Sequence, residues 1–318
     1  MSSAPVAAID CGTNSIRLLI ARRDDPTAAP VDLERHLEMV RLGLGVDRTG
    51  CFDPVAVERT LDAARRYARL IEHHGVEVED IRFAATSATR DAANREVFIE
   101  GIEQILGVRP EVISGPEEAE LSFRGAVSTL EGLPAGPRLV VDIGGGSTEL
   151  VLGEQTPSHA ISLDIGSVRL TERHLADDPP SLQQITAAQA DIAQALDRAE
   201  QDIPFERTVA LVGVAGTVTT VTAVALGLEE YQPDITHGAE ITTAQMREQC
   251  DRLLGATRAE RSRHRLIHPG RIDVIGAGAL IWSQVIDRVA AATSITTVRT
   301  SEHDILDGIA LDLLERRG

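Results

Sequence analysis

The sequence predicts a duplicated α/β fold, two related domains flanking a cleft, and three observations carry that prediction. A glycine-centred motif occurs twice. In residues 6–20 and again in 139–152, an apolar strand ends in Asp, a glycine turn follows, and Ser opens a second apolar strand. Asp10, Gly12, Ser15 and Arg17 lie over Asp142, Gly144, Ser147 and Glu149 at one offset (142 − 10 = 149 − 17 = 132). Each copy is then followed by alternating helical and strand patterns, the signature of an α/β unit. Finally, 318 residues with 43% hydrophobic content suffice for two cores.

The elements follow in order. Residues 6–20 form the first hairpin. Residues 22–32, with Pro26 and Pro30, read as a polar loop, and 33–46 as further strand up to the Gly43-Leu-Gly45 turn. Asp53-Pro54 starts a helix, with Asp as cap and Pro at the first position. Val57, Leu61, Ala64, Ala68 and Ile71 recur at helical spacing before Gly75. Residues 81–85 read as a strand running into a polar loop, 86–91, at its carboxyl end, where open α/β sheets bind ligands. A helix with Ile99, Ile102 and Ile105 inward ends at Gly107. A short strand at 111–113 leads to Ser114-Gly-Pro116-Glu117-Glu118, which opens a helix. The glycine- and proline-rich stretch 131–137 divides the halves, giving domains at 1–130 and 131–302. The terminal helix, 303–318, is expected to pack back on the first.

In the second half, 160–165 reads as a third strand, and 166–175 and 182–199 as helices. A buried strand at 209–214 leads into Ala215-Gly216-Thr217 and a Val/Thr-rich helix or turn. Helices are expected at 243–254, 272–291 and 303–316, and a strand at 295–298.

Charge narrows the function. A formal net charge of −18 disfavours nucleic-acid and membrane partners. No apolar run is long enough to span a bilayer and no leader pattern is present, so a cytoplasmic protein is expected. All 31 basic residues are Arg, so no lysine can act as a phosphate clamp or base. Any phosphate must be held by arginine, backbone N–H, hydroxyl or metal. Cys11, Cys51 and Cys250 are too dispersed for a disulfide framework or a structural zinc.

The residues suit phosphoryl chemistry. Gly12, Gly144, Gly145 and Gly146 let backbone N–H groups approach an anion. Ser15, Ser147 and Thr148 add hydroxyls. Asp10 and Asp142 could hold Mg²⁺ directly or through water. Glu118 and Glu149 are candidates to orient and deprotonate an attacking water. The positive end of its helix would favour the Glu118 anion, while burial would oppose it. Cys11 and Arg17 match the Cys-x5-Arg spacing of cysteine phosphatases. Ile143 replaces the Cys in the second copy, and no helix follows to lower a thiol pKa, which sets that mechanism aside. The most basic stretch carries Arg258, Arg261, Arg263, Arg265 and Arg271, with His264 and His268. A track for an extended polyanion and a solvated helix face fit it equally.

With the paired loops, Arg41-Leu-Gly43, residues 86–91, Ser114–Glu118, Ala215–Thr217 and Asp307-Gly308 in view, the chain resembles the exopolyphosphatase / guanosine pentaphosphate phosphohydrolase family over nearly its whole length. The resemblance implies a duplicated ribonuclease H-like, actin/hexokinase-like fold with the active site between domains. It implies Glu118 as catalytic base, Asp142 and Glu149 as metal- and water-organising carboxylates, and Asp10 in the first phosphate loop. It implies that Thr13, Asn14, Ser15, Arg90, Gly145, Gly146 and Ser147 bind phosphate. Longer relatives carry a further C-terminal helical domain.

The expected activity is Mg²⁺-dependent removal of terminal phosphate from inorganic polyphosphate, with a monovalent cation such as K⁺ as a candidate second ion. The alternatives are guanosine pentaphosphate hydrolysis, a kinase of the same fold, and a non-catalytic binder of guanosine tetraphosphate. An aromatic content of 3% weighs against a base-stacking pocket. A homodimer is left open.

Overall fold

Residues 4–25 and 28–316 are described by a computed structural model. Pro26 and Thr27 of the predicted loop and the last two residues of the predicted 303–318 helix lie outside the described residues. The chain divides into two compact units. One runs through Gly125 and resumes at Ile305; the other is Ala126–Asp304.

The first unit is built on a sheet of β1 (Val6–Cys11), β2 (Ser15–Arg22), β3 (Val31–Met39), β4 (Ile81–Ala85) and β5 (Glu111–Val112), ordered β3-β2-β1-β4-β5. β1 pairs antiparallel with β2 and parallel with β4. β1 and β4 are buried along their whole length, which explains their unbroken small and apolar runs. Side-chain alternation then assigns the faces. Ala7, Ile9 and Cys11 join the core formed with helices Pro54–His73 and Arg95–Leu106. Ala8, Leu19 and Ala84 meet Leu121 of helix Gly115–Val127 and Ile305, Leu306 and Ile309 of helix Ile305–Glu315. Gly308 permits that last packing, since a Cβ there would stand 2.0 Å from the Leu121 carbonyl oxygen. Asp53 caps helix Pro54–His73, accepting the Val55 N–H at 2.7 Å, and Pro54 occupies its first turn.

The second unit repeats the plan. Its strands are β6 (Arg138–Ile143), β7 (Thr148–Gly153), β8 (Pro157–Leu163), β9 (Ala210–Val214), β10 (Glu240–Thr242) and β11 (Thr297–Thr300). The sheet order is β10-β11-β9-β6-β7-β8. From the other edge, β8-β7-β6-β9-β11 reproduces β3-β2-β1-β4-β5, and β10 is an added antiparallel edge. This is the duplicated ribonuclease H-like arrangement. Its core gathers Leu139, Val141, Leu211 and Val298 against helices Leu182–Asp202, Thr243–Gly255 and Ile275–Ala292, around the buried Trp282. No helix among the described residues is long and apolar enough to cross a membrane.

Two local expectations are corrected. The strand expected over 33–46 ends at Met39, because the next residues turn inward to bond the first glycine loop. The loop expected over 86–91 is mostly a helical turn, Ser87–Asp91. The segment after β9 is helical, Ala215–Ala225.

Candidate active site

The two glycine turns are built alike. Gly12 N–H donates to the Ser15 carbonyl at 3.0 Å, and Gly144 N–H to the Ser147 carbonyl at 3.0 Å. Asp10 stands opposite Arg17 across its ladder, and Asp142 opposite Glu149. The difference between copies is therefore chemical. In the first, Asp10 Oδ2 accepts Arg17 Nε at 3.0 Å and Nη2 at 2.7 Å, a closed ion pair. In the second, two carboxylates take the same paired positions. Like charges directly opposite repel, so this pairing favours a cation. Both are buried, Asp142 at 7% and Glu149 at 1% exposure. Glu149 Oε1 also accepts the Ser162 hydroxyl at 2.7 Å from β8.

The second loop has its carbonyls tied back. Ser167 N–H donates to Gly144 O at 2.9 Å, Val168 N–H to Gly145 O at 2.9 Å, and Arg169 Nε to Gly146 O at 2.7 Å. In a trans peptide the next N–H points opposite the carbonyl. The N–H groups of Gly145, Gly146 and Ser147 thus face away from helix Ser167–His174, consecutive donors of the kind that can receive an anion. Those of Gly145 and Gly146 have no acceptor among the described residues. Ser147 Oγ is buried without a hydrogen-bond partner among those residues, a polar atom that a bound oxyanion or its metal would satisfy. Gly166 allows the close approach: a Cβ there would lie 2.4 Å from Gly145.

The first loop is anchored from β3's far end. Gly43 N–H donates to Thr13 O at 2.8 Å, and Arg41 N–H to Asn14 O at 2.9 Å. Gly43 must be glycine, since a Cβ would stand 2.5 Å from Thr13 Cγ2. The Thr13 and Ser87 hydroxyls bond at 3.1 Å. The sequence places Gly43 in a turn that closes a strand and singles out neither Ser87 nor Gly166 for the site; the glycine that opens the predicted helix 166–175 is the available signal for Gly166.

Glu118 lies in the first turn of helix Gly115–Val127, with its backbone N–H bonded to Ser114 O at 2.9 Å. Its carboxylate accepts Arg90 Nη1 at 2.6 Å, and the same Nη1 reaches Ile113 O at 3.0 Å. Burial pushes the Glu118 carboxyl up to about 7, Arg90 pulls it down, and nearby Asp10 adds to the rise. Burial outweighs the helix end here. Cys11 is fully buried, and burial raises its thiol well above the ordinary value, so the thiolate nucleophile is disfavoured.

Beyond the predicted residues, the turn after β9 adjoins the second loop. Val214 pairs with Asp142. Ala215 follows with φ +64°, and a Cβ on Gly216 would meet the Arg271 guanidinium at 2.0 Å. One arginine of the basic stretch thus packs one strand over from Asp142.

A model of the Ppx/GppA phosphatase family matches residues 19–314. Exopolyphosphatase 2 of Mycobacterium tuberculosis is 46% identical over 98% of this chain and 99% of its own length. A guanosine-5'-triphosphate,3'-diphosphate pyrophosphatase of Vibrio atlanticus is 35% identical over 73% of this chain and 45% of its own. The crystal structure of an exopolyphosphatase-like protein, 47% identical, superposes with a TM-score of 0.93, covering 99% of this chain and 100% of that one.

Proposed function

The chain belongs to the Ppx/GppA phosphatase family, and on that ground we propose that it is an exopolyphosphatase, releasing orthophosphate from the end of inorganic polyphosphate. The observation that carries the hydrolytic reading is Glu118, a buried carboxyl bonded to Arg90 at 2.6 Å; burial pushes it up to about 7, where a general base is half-ionised near neutral pH. Water attacks the terminal phosphorus as Glu118 Oε takes its proton. The bond from phosphorus to the bridging oxygen breaks, and the shortened chain leaves with that oxygen. Arg90 orients Glu118 and offers its remaining N–H groups to phosphate oxygen.

Gly145, Gly146 and Ser147 would receive phosphate oxygens on their N–H groups, with the Ser147 hydroxyl as a further donor. Thr13, Asn14 and Ser15 are proposed for the same duty in the first loop. Gly12 and Gly144 spend their N–H groups closing the turns, so their role is to shape them.

The donor set fits Mg²⁺: Asp142 and Glu149, opposite each other across the ladder, would serve as oxygen ligands. Among the described residues no cluster of three or more His, Cys, Asp or Glu is disposed to hold a metal. Water and substrate phosphate would complete the shell, as Mg²⁺ prefers. The ion would neutralise charge on the transferred group. Asp10 is engaged by Arg17, and the metal role proposed for it is water-mediated.

Polyphosphate is preferred to guanosine pentaphosphate because the likeness to the exopolyphosphatase is higher and spans both chains. The test is orthophosphate release, with Mg²⁺, from polyphosphates of defined length beside guanosine pentaphosphate. Faster release from polyphosphate, shortening one unit at a time, supports this reading. Preference for the nucleotide moves the protein to that substrate, and release from neither removes the hydrolase reading.

A further inference from the structure

The arginine-rich segment 257–271 has five Arg and one Glu in a chain of net charge −18. The structure separates its arginines into two groups. Arg258 pairs with Asp273 at 3.1 Å, and Arg261 with Asp178 at 3.0 Å. The Asp178 carboxylate also accepts the Arg258 N–H at 2.7 Å, so both guanidiniums serve the helix Arg258–Arg263 and its seat.

Arg263 and Arg265 differ. Both are exposed, and neither has a carboxylate within ion-pair distance among the described residues. Glu260, the segment's one acid, turns its carboxylate back to the Thr257 N–H at 2.8 Å, and the Arg263 charge adds only the smallest part of the lowering of its carboxyl. Beyond them the chain is pinned: Leu266 and Ile267 are buried between the exposed Arg265 and His268. His268 is exposed, and its Nδ1 accepts the Gly270 N–H at 3.1 Å, which leaves Nε2–H as its donor. Arg271 ends the segment against Gly216, beside the strand end that carries Asp142. Six residues from Arg265 to Arg271 span at most about 20 Å. Arg265 thus stays within about 20 Å of Arg271, a separation that one extended polyanion can bridge.

We propose that Arg263, Arg265 and His268 hold the distal phosphates of a polyphosphate chain whose end lies at the 144–147 loop. The segment then sets preference for long chains over short ones. This rests on the exopolyphosphatase reading. A linear polyanion is the occupant favoured, because the groups are spaced along the chain, carry no apolar platform between them, and offer forks suited to phosphate oxygens. The helix portion is a structural element; the functional surface begins where it ends.

The experiment compares wild type with the double variant Arg263→Ala/Arg265→Ala on tripolyphosphate and on a long polyphosphate. Both positions are exposed, and an unchanged unfolding midpoint verifies the fold. KM for the long chain is expected to rise roughly fivefold, as two exposed charge contacts allow. KM for tripolyphosphate and kcat for both should stay at wild-type values. Added salt should raise the wild-type KM for long chains more steeply than the variant's. Arg263→Lys/Arg265→Lys should recover part of the loss. Equal long-chain KM in wild type and the alanine variant overturns the proposal while leaving the hydrolase reading intact. An equal loss on tripolyphosphate overturns it as well. Release from no polyphosphate by wild type overturns the hydrolase reading and the proposal with it.

Discussion

Glu118→Gln separates the cost of burying a carboxylate from its use. In the unfolded chain Glu118 ionises near 4.5; in the fold its carboxyl is pushed up to about 7, chiefly by burial. Between those values the folded protein keeps a proton that the unfolded chain has lost. Stability therefore falls with pH across that window, and is level again above it. The difference from 4.5 to about 7, at about 1.4 kcal/mol per pH unit, amounts to about 3 kcal/mol. Glutamine keeps the shape and an oxygen for Arg90 Nη1, and it does not titrate. Every other group is common to both proteins, so their stability difference isolates this one. Urea unfolding of both at pH 4.5 and pH 8 should show the variant gaining about 3 kcal/mol on wild type over that range. A difference that is flat, or that moves toward wild type as pH rises, would refute burial as the dominant influence on Glu118.

Other expectations follow from the same contacts. Arg90→Ala removes the cation that holds Glu118 down, so the rising limb of kcat/KM should move to higher pH; an unmoved limb contradicts the pairing. Gly166→Ala drives a Cβ to 2.4 Å from Gly145, so it should cost about 1–3 kcal/mol in thermal or urea unfolding and most of the turnover. Gly12→Ala is the contrast: its nearest neighbour would be 3.8 Å away, and stability should stay within about 1 kcal/mol. Cys11→Ser should retain substantial activity while losing about 1–2 kcal/mol for a buried hydroxyl; complete loss in a folded variant would revive the thiol.

The paired hairpins were legible because an internal repeat constrains both copies: strand, turn and return strand follow from the Asp, Gly and Ser positions. Helix Pro54–His73 was equally plain, since Asp53-Pro54 is a local capping signal and its apolar stripe is periodic. What escaped was set by tertiary contact. The strand after residue 31 stops at Met39 because Val40, Arg41 and Gly43 bond the loop 12–15, a partner far away in sequence. Gly166 looked like a helix start and is in fact the contact surface for Gly145. The competition at Glu118 between helix end and burial could be stated from sequence; its outcome needed the packing around the side chain. The basic stretch illustrates the same limit, because only the positions of Asp178 and Asp273 divide neutralised arginines from exposed ones.

The pH dependence of kcat/KM for orthophosphate release from a short polyphosphate, in wild type and Glu118→Gln, bears most directly on the claim that a buried glutamate drives this hydrolysis. The wild-type rate should climb with pH and level off around 7. The variant should lack that limb and run roughly 10²–10⁴ times slower, the usual worth of a positioned general base. A wild-type rate already at its plateau by pH 5, or a glutamine variant that keeps both the limb and the rate, would contradict it.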